Sequence, residues 1–397
     1  MSPVGLNQTL KQKRANQILD LTYEKEFIMT KPIILAIHGM GTHKPGDISK
    51  EIASGLKECA SFFNVETLDI DSEFEIREFN YSDYFDEVRQ KWANYAETIA
   101  SSIGEGPSLV SKITALQSKL GNDDFLYTHW LDVITYCLFG PLRETVLSKA
   151  VEMLMTTMKE AKDDPENIRP VILLGHSLGT SVLHDAITKL YLRPEEPDGD
   201  NKLRFTTYPV DGLWTIANVS RLTHLITKLQ DPNSSIARDN NSKSSGMSYA
   251  FYPCYNQYDP FTVFKRFALD PHYGDLIRTN EIRKLETDGF PFNPHSLVEY
   301  FADPEIGGVF LSKYSSLSFT TNEMQEAKSN YKVTTISGPI SSALQDVKKA
   351  IREVEQQAGN MASLRTLVIK SVELYELIKE FYDILKNNKA KGAQNVN

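Results

Sequence analysis

The segment Gly175-His176-Ser177-Leu178-Gly179 places a serine between two glycines, directly after an apolar run at residues 171–174. A helix-period apolar stripe follows over residues 182–191, so the serine is predicted at a tight turn from a strand into a helix. Only small residues fit two positions to either side of such a serine, because larger side chains would collide with the strand and the helix. The pattern predicts a hydroxyl presented as a nucleophile, against the alternative of an ordinary turn that matches by chance. We interpret His176 as a packing residue of this turn and not as the base that activates the serine.

Attack on a carbonyl group requires hydrogen-bond donors for the oxygen that becomes negatively charged. The backbone N–H of Leu178 is expected to be one donor, because it lies at the amino terminus of the helix. The second donor is expected from the glycine-containing loop at residues 38–43, His-Gly-Met-Gly-Thr-His, with the N–H of Met40 preferred and that of Gly41 next. An ordinary turn is the alternative. A metal site at the two histidines of this loop is disfavoured, since no carboxylate or cysteine is spaced with them.

The base that takes the serine proton is expected to be a histidine that follows the turn, with a carboxylate between the two in the chain. His295 fits this position, because it follows a possible last strand around residues 276–285 and begins a predicted helix. His272 is the second candidate, whereas His224 follows the strand at Trp214 too closely. For each of them the alternative is a capping or surface histidine.

The carboxylate that orients the base is predicted to be Asp259. It closes a strand that begins near Tyr249, which places it on a loop at the carboxyl edge of the sheet, where it can hold the imidazole in the required tautomer. The alternative is a turn initiated by the pair Asp259-Pro260, and Asp270 is the reserve candidate.

These residues require a scaffold, and the hydrophobic pattern predicts an α/β fold with a mostly parallel central sheet and helices on both faces. Short apolar runs are typical of strands that are buried on both faces, and helix-period stripes separate them. The predicted strands lie at residues 33–37, 74–80, 171–174, 213–217 and 249–255.

The pattern also predicts the organisation of the chain into domains. Residues 1–30 are expected to form a helical extension and residues 31–336 the α/β domain, in which a mostly helical stretch at about 103–161 is a candidate cap over the site. Residues 337–397 are predicted to form a helical hairpin with a polar tail, because apolar residues recur there at four-three spacing.

The composition of the chain bears on its partners and on its compartment. The formal net charge is -9 over 397 residues with no long run of lysine and arginine, which argues against nucleic acid as a partner. Three widely separated cysteines favour a reducing compartment. No signal peptide or membrane-spanning run is visible, so we expect a soluble cytoplasmic protein, although export that needs no signal peptide would leave no mark on composition.

Together these segments resemble the α/β-hydrolase lipases and esterases, particularly the intracellular phospholipase-like and bacterial lipase-effector-like groups. The resemblance covers about residues 31–312 and depends on the segments at 38–42, 79–83, 175–179, 256–260 and 295–300. It implies the α/β-hydrolase fold and the catalytic triad Ser177, Asp259 and His295, acting through an acyl-enzyme without a cofactor. Many such lipases have Gly-Ser-Pro after the strand that follows the nucleophile, whereas this chain has Ala-Asn-Val-Ser at residues 217–220.

The expected substrate is a small-molecule or lipid ester. The long helical stretch could supply an apolar cover and so favours an apolar acyl chain, with a small-molecule carboxylesterase as the alternative. A hypothesis from another class is a catalytically silent fold that serves as a scaffold or binding module, in which the hairpin recruits a partner, a membrane surface or a second copy of the chain. A stripe of this kind more often packs on its own domain.

Overall fold

The structure is a computed structural model that describes residues 30–39, 43–82, 140–192, 201–227, 248–256 and 295–331, together with positions 133, 136, 137, 199, 259, 262, 281, 282 and 285–287. Residues 1–29 of the extension predicted at 1–30, most of residues 103–139 of the predicted cap, and the hairpin predicted at 337–397 lie outside these residues.

One parallel sheet runs through the described part of the chain. Its strands are β1 (Ile33–Ile37), β2 (Glu75–Phe79), β3 (Val171–His176), β4 (Gly212–Ile216), β5 (Ala250–Asn256), β6 (Glu281–Ile282) and β7 (Leu285–Thr287). The order across the sheet is β2-β1-β3-β4-β5, with β6 beside the first residues of β5 and β7 beside its last residues. Every pair is parallel, which confirms the predicted α/β class.

The burial of the strands explains why their sequences are so apolar. All residues of β1, β3, β4 and β5 are buried, as expected where helices cover both faces of a parallel sheet. Strand β2 lies at the edge of the sheet, and four of its five residues are partly exposed. Its sequence accordingly keeps charged residues between apolar ones.

The helices are α1 (Asp47–Phe62), α2 (Ile70–Glu73), α3 (Gly140–Lys162), α4 (Leu178–Leu190), α5 (Ser220–Thr227), α6 (Leu297–Ala302), α7 (Val309–Tyr314) and α8 (Thr321–Asn330), with a π-helical turn at Pro304–Gly308 between α6 and α7. Helices α1, α6 and α7 and the π-helical turn share one hydrophobic core with Ile34, Leu174 and Trp214 of the sheet. Helices α3 and α4 pack on each other and on β1, where the alternate strand residues such as Leu35 and Leu173 are buried.

Helix α3 corrects the extent of the predicted cap. Residues 140–161 were expected to cover the site, but α3 packs on α4 and β1 as part of the helical layer. Its last residue lies at the amino edge of the sheet, where Lys162 Nζ is 2.7 Å from an oxygen of Asp211, the residue before β4. Apolar residues such as Leu154 and Met158 are fully buried in this packing, so the hydrophobic pattern of α3 reflects the sheet beneath it and not a cover over the site.

None of the helices within the described ranges is both long enough and apolar enough to cross a lipid bilayer.

Candidate active site

Ser177 occupies the turn between β3 and α4. Its backbone angles are φ 53° and ψ −124°. Residues other than glycine rarely adopt this conformation, so the surrounding structure must impose it. The N–H of Ser177 donates to the carbonyl oxygen of Ile216 on the neighbouring strand β4, at 3.0 Å. The predicted tight turn is present, and it holds the serine at the carboxyl edge of the sheet.

The two flanking glycines are required by close backbone approach. A Cβ atom at Gly175 would lie 2.9 Å from Cα of Thr180, and one at Gly179 would lie 2.3 Å from the carbonyl oxygens of both Ile37 and His38. Because these neighbours are backbone atoms, they cannot rotate away as a side chain would. The glycines therefore allow α4 to pack against the end of β1, as the sequence pattern predicted.

His295 lies directly against the serine. Its Nε2 is 2.8 Å from Oγ of Ser177, and its side chain is fully buried. The ring is supplied by the segment that leads into α6, whose amino-terminal capping position is Ser296. His176 fixes the backbone of this segment, since its Nε2–H donates to the carbonyl oxygen of His295 at 2.8 Å. Burial and the neighbouring His295 hold the pKa of His176 well below its usual range, so His176 remains a neutral packing residue.

Asp259 lies on the other side of the imidazole. Both carboxylate oxygens are 2.9 Å from Nδ1 of His295, and both side chains are fully buried. A carboxylate can only accept, so Nδ1 carries a proton and Nε2 is left to accept from the Ser177 hydroxyl. The structure thus brings together Ser177, His295 and Asp259 in hydrogen-bonded order. Of the other candidates, Asp270 and His272 lie outside the described residues, and His224 belongs to α5.

Tyr300 is a contact that the sequence reasoning missed. Its hydroxyl donates to Oδ2 of Asp259 at 2.9 Å and accepts from the N–H of Asn256, the last residue of β5, at 2.8 Å. Burial, together with the carboxylate of Asp259, raises the pKa of Tyr300 well above its usual range. The only signal in the sequence is an aromatic residue with a hydroxyl group in the helix that follows His295, and many buried tyrosines share that feature.

The predicted oxyanion loop begins close to Ser177. Met40 and Gly41 lie outside the described residues, but Gly39 is described, and a Cβ atom there would lie 2.8 Å from Cβ of Ser177. Leu178 is the first residue of α4, which places its N–H at the amino terminus of that helix. The start of the predicted loop therefore lies beside Ser177, at the amino terminus of the same helix.

His38 secures the beginning of this loop. Its Nδ1–H donates to the carbonyl oxygen of Gly39 at 2.5 Å, and its Nε2 accepts from the N–H of Tyr81 at 2.9 Å. The Tyr81 hydroxyl lies 2.9 Å and 3.0 Å from the carbonyl oxygens of His38 and Gly39. Burial, with a smaller contribution from His43, lowers the pKa of His38 to about 3, so the ring stays neutral. Both ring nitrogens contact backbone groups, and Nε2 also lies 3.0 Å from Oδ1 of Asn80, so the ring links the start of the loop to the segment after β2.

The other end of the loop is held by the segment after β2. Asn80 donates from its side-chain amide to the carbonyl oxygen of His43 at 2.7 Å, and the Ser82 hydroxyl accepts from the N–H of His43 at 2.9 Å. Residues 80–82 therefore contact both ends of the 40–42 segment.

Thr180 connects the serine turn to the loop after β4. Its hydroxyl donates to the carbonyl oxygen of Ser177 at 2.6 Å and accepts from the N–H of Val219 at 3.1 Å. In the segment at residues 217–220, the Asn218 side chain accepts from the N–H of Ser220, the first residue of α5, at 2.9 Å. This local hydrogen bond begins α5 and fixes the loop beside the nucleophile.

No family model, curated protein or solved structure matches this chain. Among the described residues, no group of three or more histidine, cysteine, aspartate or glutamate side chains is arranged to hold a metal ion. What the site can do therefore follows from its own geometry, which joins a strained serine, a buried imidazole whose Nε2 faces the serine hydroxyl group, and a buried carboxylate.

Proposed function

We propose that this chain is a serine hydrolase that cleaves carboxylic esters through an acyl-enzyme on Ser177. The observation that carries the proposal is the hydrogen-bonded series from Ser177 Oγ to His295 Nε2, at 2.8 Å, and from His295 Nδ1 to Asp259, at 2.9 Å. In this series His295 is the base and Asp259 orients it. These distances suit transfer of a proton from the hydroxyl group as it attacks.

The proposed reaction has two halves. Ser177 Oγ attacks the ester carbonyl carbon while its proton moves to Nε2 of His295, and the resulting imidazolium is stabilised by Asp259. The N–H of Leu178 and the N–H of Met40, or of Gly41, hold the negative oxygen. The imidazolium then protonates the leaving alcohol, and water, activated by the same nitrogen, releases the acid and restores Ser177. No cofactor takes part in these steps.

The α/β-hydrolase fold is part of the proposal. It is supported by a parallel sheet, by a strained serine between a strand and a helix, and by the order of serine, aspartate and histidine in the chain. The loop after the strand β1 also lies where such enzymes keep their second oxyanion donor.

The substrate class we propose is an ester with an apolar acyl chain. Ser177 is 0% exposed and His295 is 1% exposed, so groups that cover them must move before an ester can reach the hydroxyl. An apolar acyl chain is favoured in a site that is shielded from water, because burial of apolar surface is favourable. The predicted contact with a membrane surface would follow from such a substrate.

A fluorophosphonate probe tests the nucleophile. We expect the wild-type protein to be labelled on Ser177 and Ser177→Ala to be unlabelled. Ser181→Ala is the matched control, since Ser181 is a buried serine one turn further along α4 whose hydroxyl accepts from Thr223. Equal labelling of the wild type and Ser177→Ala would overturn the proposal, and no labelling of a folded wild type would favour the silent scaffold.

A series of esters with increasing acyl length tests the substrate class. We expect kcat/KM to rise with acyl length beyond the shortest esters and Ser177→Ala to be inactive throughout. A maximum at the shortest acyl chains would instead identify a carboxylesterase of small molecules.

A further inference from the structure

Tyr300 and His295 reach Asp259 from the same short segment of chain. His295 lies just before α6 and Tyr300 lies within it, and both side chains contact the one carboxylate. Oδ2 of Asp259 lies 2.9 Å from both the Tyr300 hydroxyl oxygen and Nδ1 of His295, so a rotation of the carboxylate changes both contacts together. Tyr300 is 2% exposed, so water does not replace its hydroxyl group.

The direction of each hydrogen bond can be assigned from chemistry alone. The N–H of Asn256 can only donate, so the Tyr300 oxygen accepts there and its own hydrogen is directed to Oδ2 of Asp259. The end of β5 therefore orients the phenol, and the phenol orients the carboxylate. The torsion that turns a carboxylate about its last bond is broad, so the Tyr300 donor narrows the orientations that Asp259 can take toward the imidazole.

We propose that Tyr300 is a positioning residue, which holds Asp259 in the one orientation that aligns His295 with Ser177. This inference rests on the proposed function, because alignment matters only if His295 accepts the serine proton. A buried carboxylate also needs its oxygens hydrogen-bonded to remain charged, and the hydroxyl of Tyr300 adds a donor besides His295.

The test is Tyr300→Phe, which removes one oxygen atom and keeps the ring. We expect kcat to fall about tenfold with KM nearly unchanged, because the lost alignment affects the transition state and not the binding of substrate. This is much less than the loss of about 10⁴-fold that is typical when the acid itself is altered. Asp259→Asn in the same assay gives that upper limit.

Tyr314→Phe is the matched control. Tyr314 lies in α7 in the same hydrophobic core, is 5% exposed, and its hydroxyl accepts from Nε1 of Trp214 at 3.4 Å. Tyr314→Phe, like Tyr300→Phe, removes one hydroxyl oxygen from this core. If the effect of Tyr300→Phe were purely structural, both variants should therefore show an equal change in kcat. Thermal unfolding of both variants measures that structural part.

Proton NMR of the His295 Nδ1–H gives a readout that needs no substrate. In the wild type this proton is expected far downfield, as is typical of an imidazole N–H that donates to a buried carboxylate, and Tyr300→Phe should move or broaden the signal while Tyr314→Phe should not. An unchanged signal together with unchanged kcat would overturn the role of Tyr300. If the wild type neither hydrolyses esters nor reacts with the fluorophosphonate, the proposed function fails, whereas the NMR signal still decides whether Tyr300 positions Asp259.

Discussion

Ser177 and Ala217 directly follow the paired residues His176 and Ile216 of β3 and β4, and both have positive φ angles, 53° and 51°. The two strands therefore end side by side in strained turns. The N–H of Ser177 donates to Ile216, and the N–H of Ala217 donates to Cys254 on β5, at 3.0 Å and 3.1 Å. Strain of this kind persists only where such contacts enforce it, and it is concentrated here beside the proposed nucleophile.

Ala217→Gly should relieve part of that strain. Glycine adopts positive φ freely, whereas alanine in the left-handed region costs about 1 kcal/mol, which roughly offsets the greater flexibility of glycine in the unfolded chain. We expect the free energy of unfolding to stay the same or to rise slightly, with kcat unchanged. Ala186→Gly within α4 is the control and should lose about 1 kcal/mol. Urea unfolding compares the two, and equal losses would show that Ala217 carries no strain.

Gly179→Ala should damage both the fold and the site. The added methyl group would lie 2.3 Å from two backbone carbonyl oxygens of the β1 end, so α4 must move away from β1. We expect a loss of about 3 kcal/mol in stability and of at least about 100-fold in kcat/KM, because displacement of α4 also displaces Ser177 and the Leu178 N–H. Gly140→Ala is the control, since its Cβ would meet no atom within 4 Å. Full activity of Gly179→Ala would contradict this account of the turn.

The elements that sequence reasoning recovered have signals that are local in the chain. Buried strands such as β1 and β3 are continuous apolar runs, and the serine turn has its glycines within five residues. Helix α3 was misinterpreted because its apolar stripe shows only that one face is buried, not whether the sheet or the site lies beneath it. The contact of Tyr300 with Asp259 depends on how α6 crosses the end of β5, which no spacing along the chain records.

Thr180 should support the serine turn through its hydroxyl group alone. Thr180→Val keeps the shape of the side chain but leaves the N–H of Val219 without this acceptor, at a cost of about 1–3 kcal/mol in stability. We expect kcat to fall about tenfold, because the carbonyl group of Ser177 also loses a donor. Thr180→Ser keeps the hydroxyl and should retain nearly full activity. If Thr180→Ser loses as much activity as Thr180→Val, the hydroxyl group is not what supports the turn.

The protonation of His38 predicts how stability depends on pH. The pKa of His38 is about 3 in the folded chain against an ordinary value of 6.5, because burial penalises the charged ring. On acidification His38 therefore binds a proton in the unfolded chain but not in the folded chain. The free energy of unfolding that is present above pH 6.5 is lost as the pH falls toward 3. Between pH 7 and pH 5 this one residue should lower the free energy of unfolding by about 2 kcal/mol.

His38→Asn isolates this contribution. His176 acts in the same direction as His38, and Asp185, whose pKa burial raises to about 6, acts in the opposite direction, so the informative quantity is the difference between variant and wild type. We expect His38→Asn to be less stable at pH 7, because it loses the hydrogen bonds to Gly39 and Tyr81, but to lose about 2 kcal/mol less than the wild type on acidification to pH 5.

Tyr81→Phe is the control, since it removes a hydroxyl contact of the same loop without removing the titrating ring, and its curve should run parallel to that of the wild type. Urea unfolding at the two pH values measures all three proteins. Parallel curves for His38→Asn and the wild type would mean that the ring takes up a proton in the folded state, and the neutral state assigned to His38 would then be wrong.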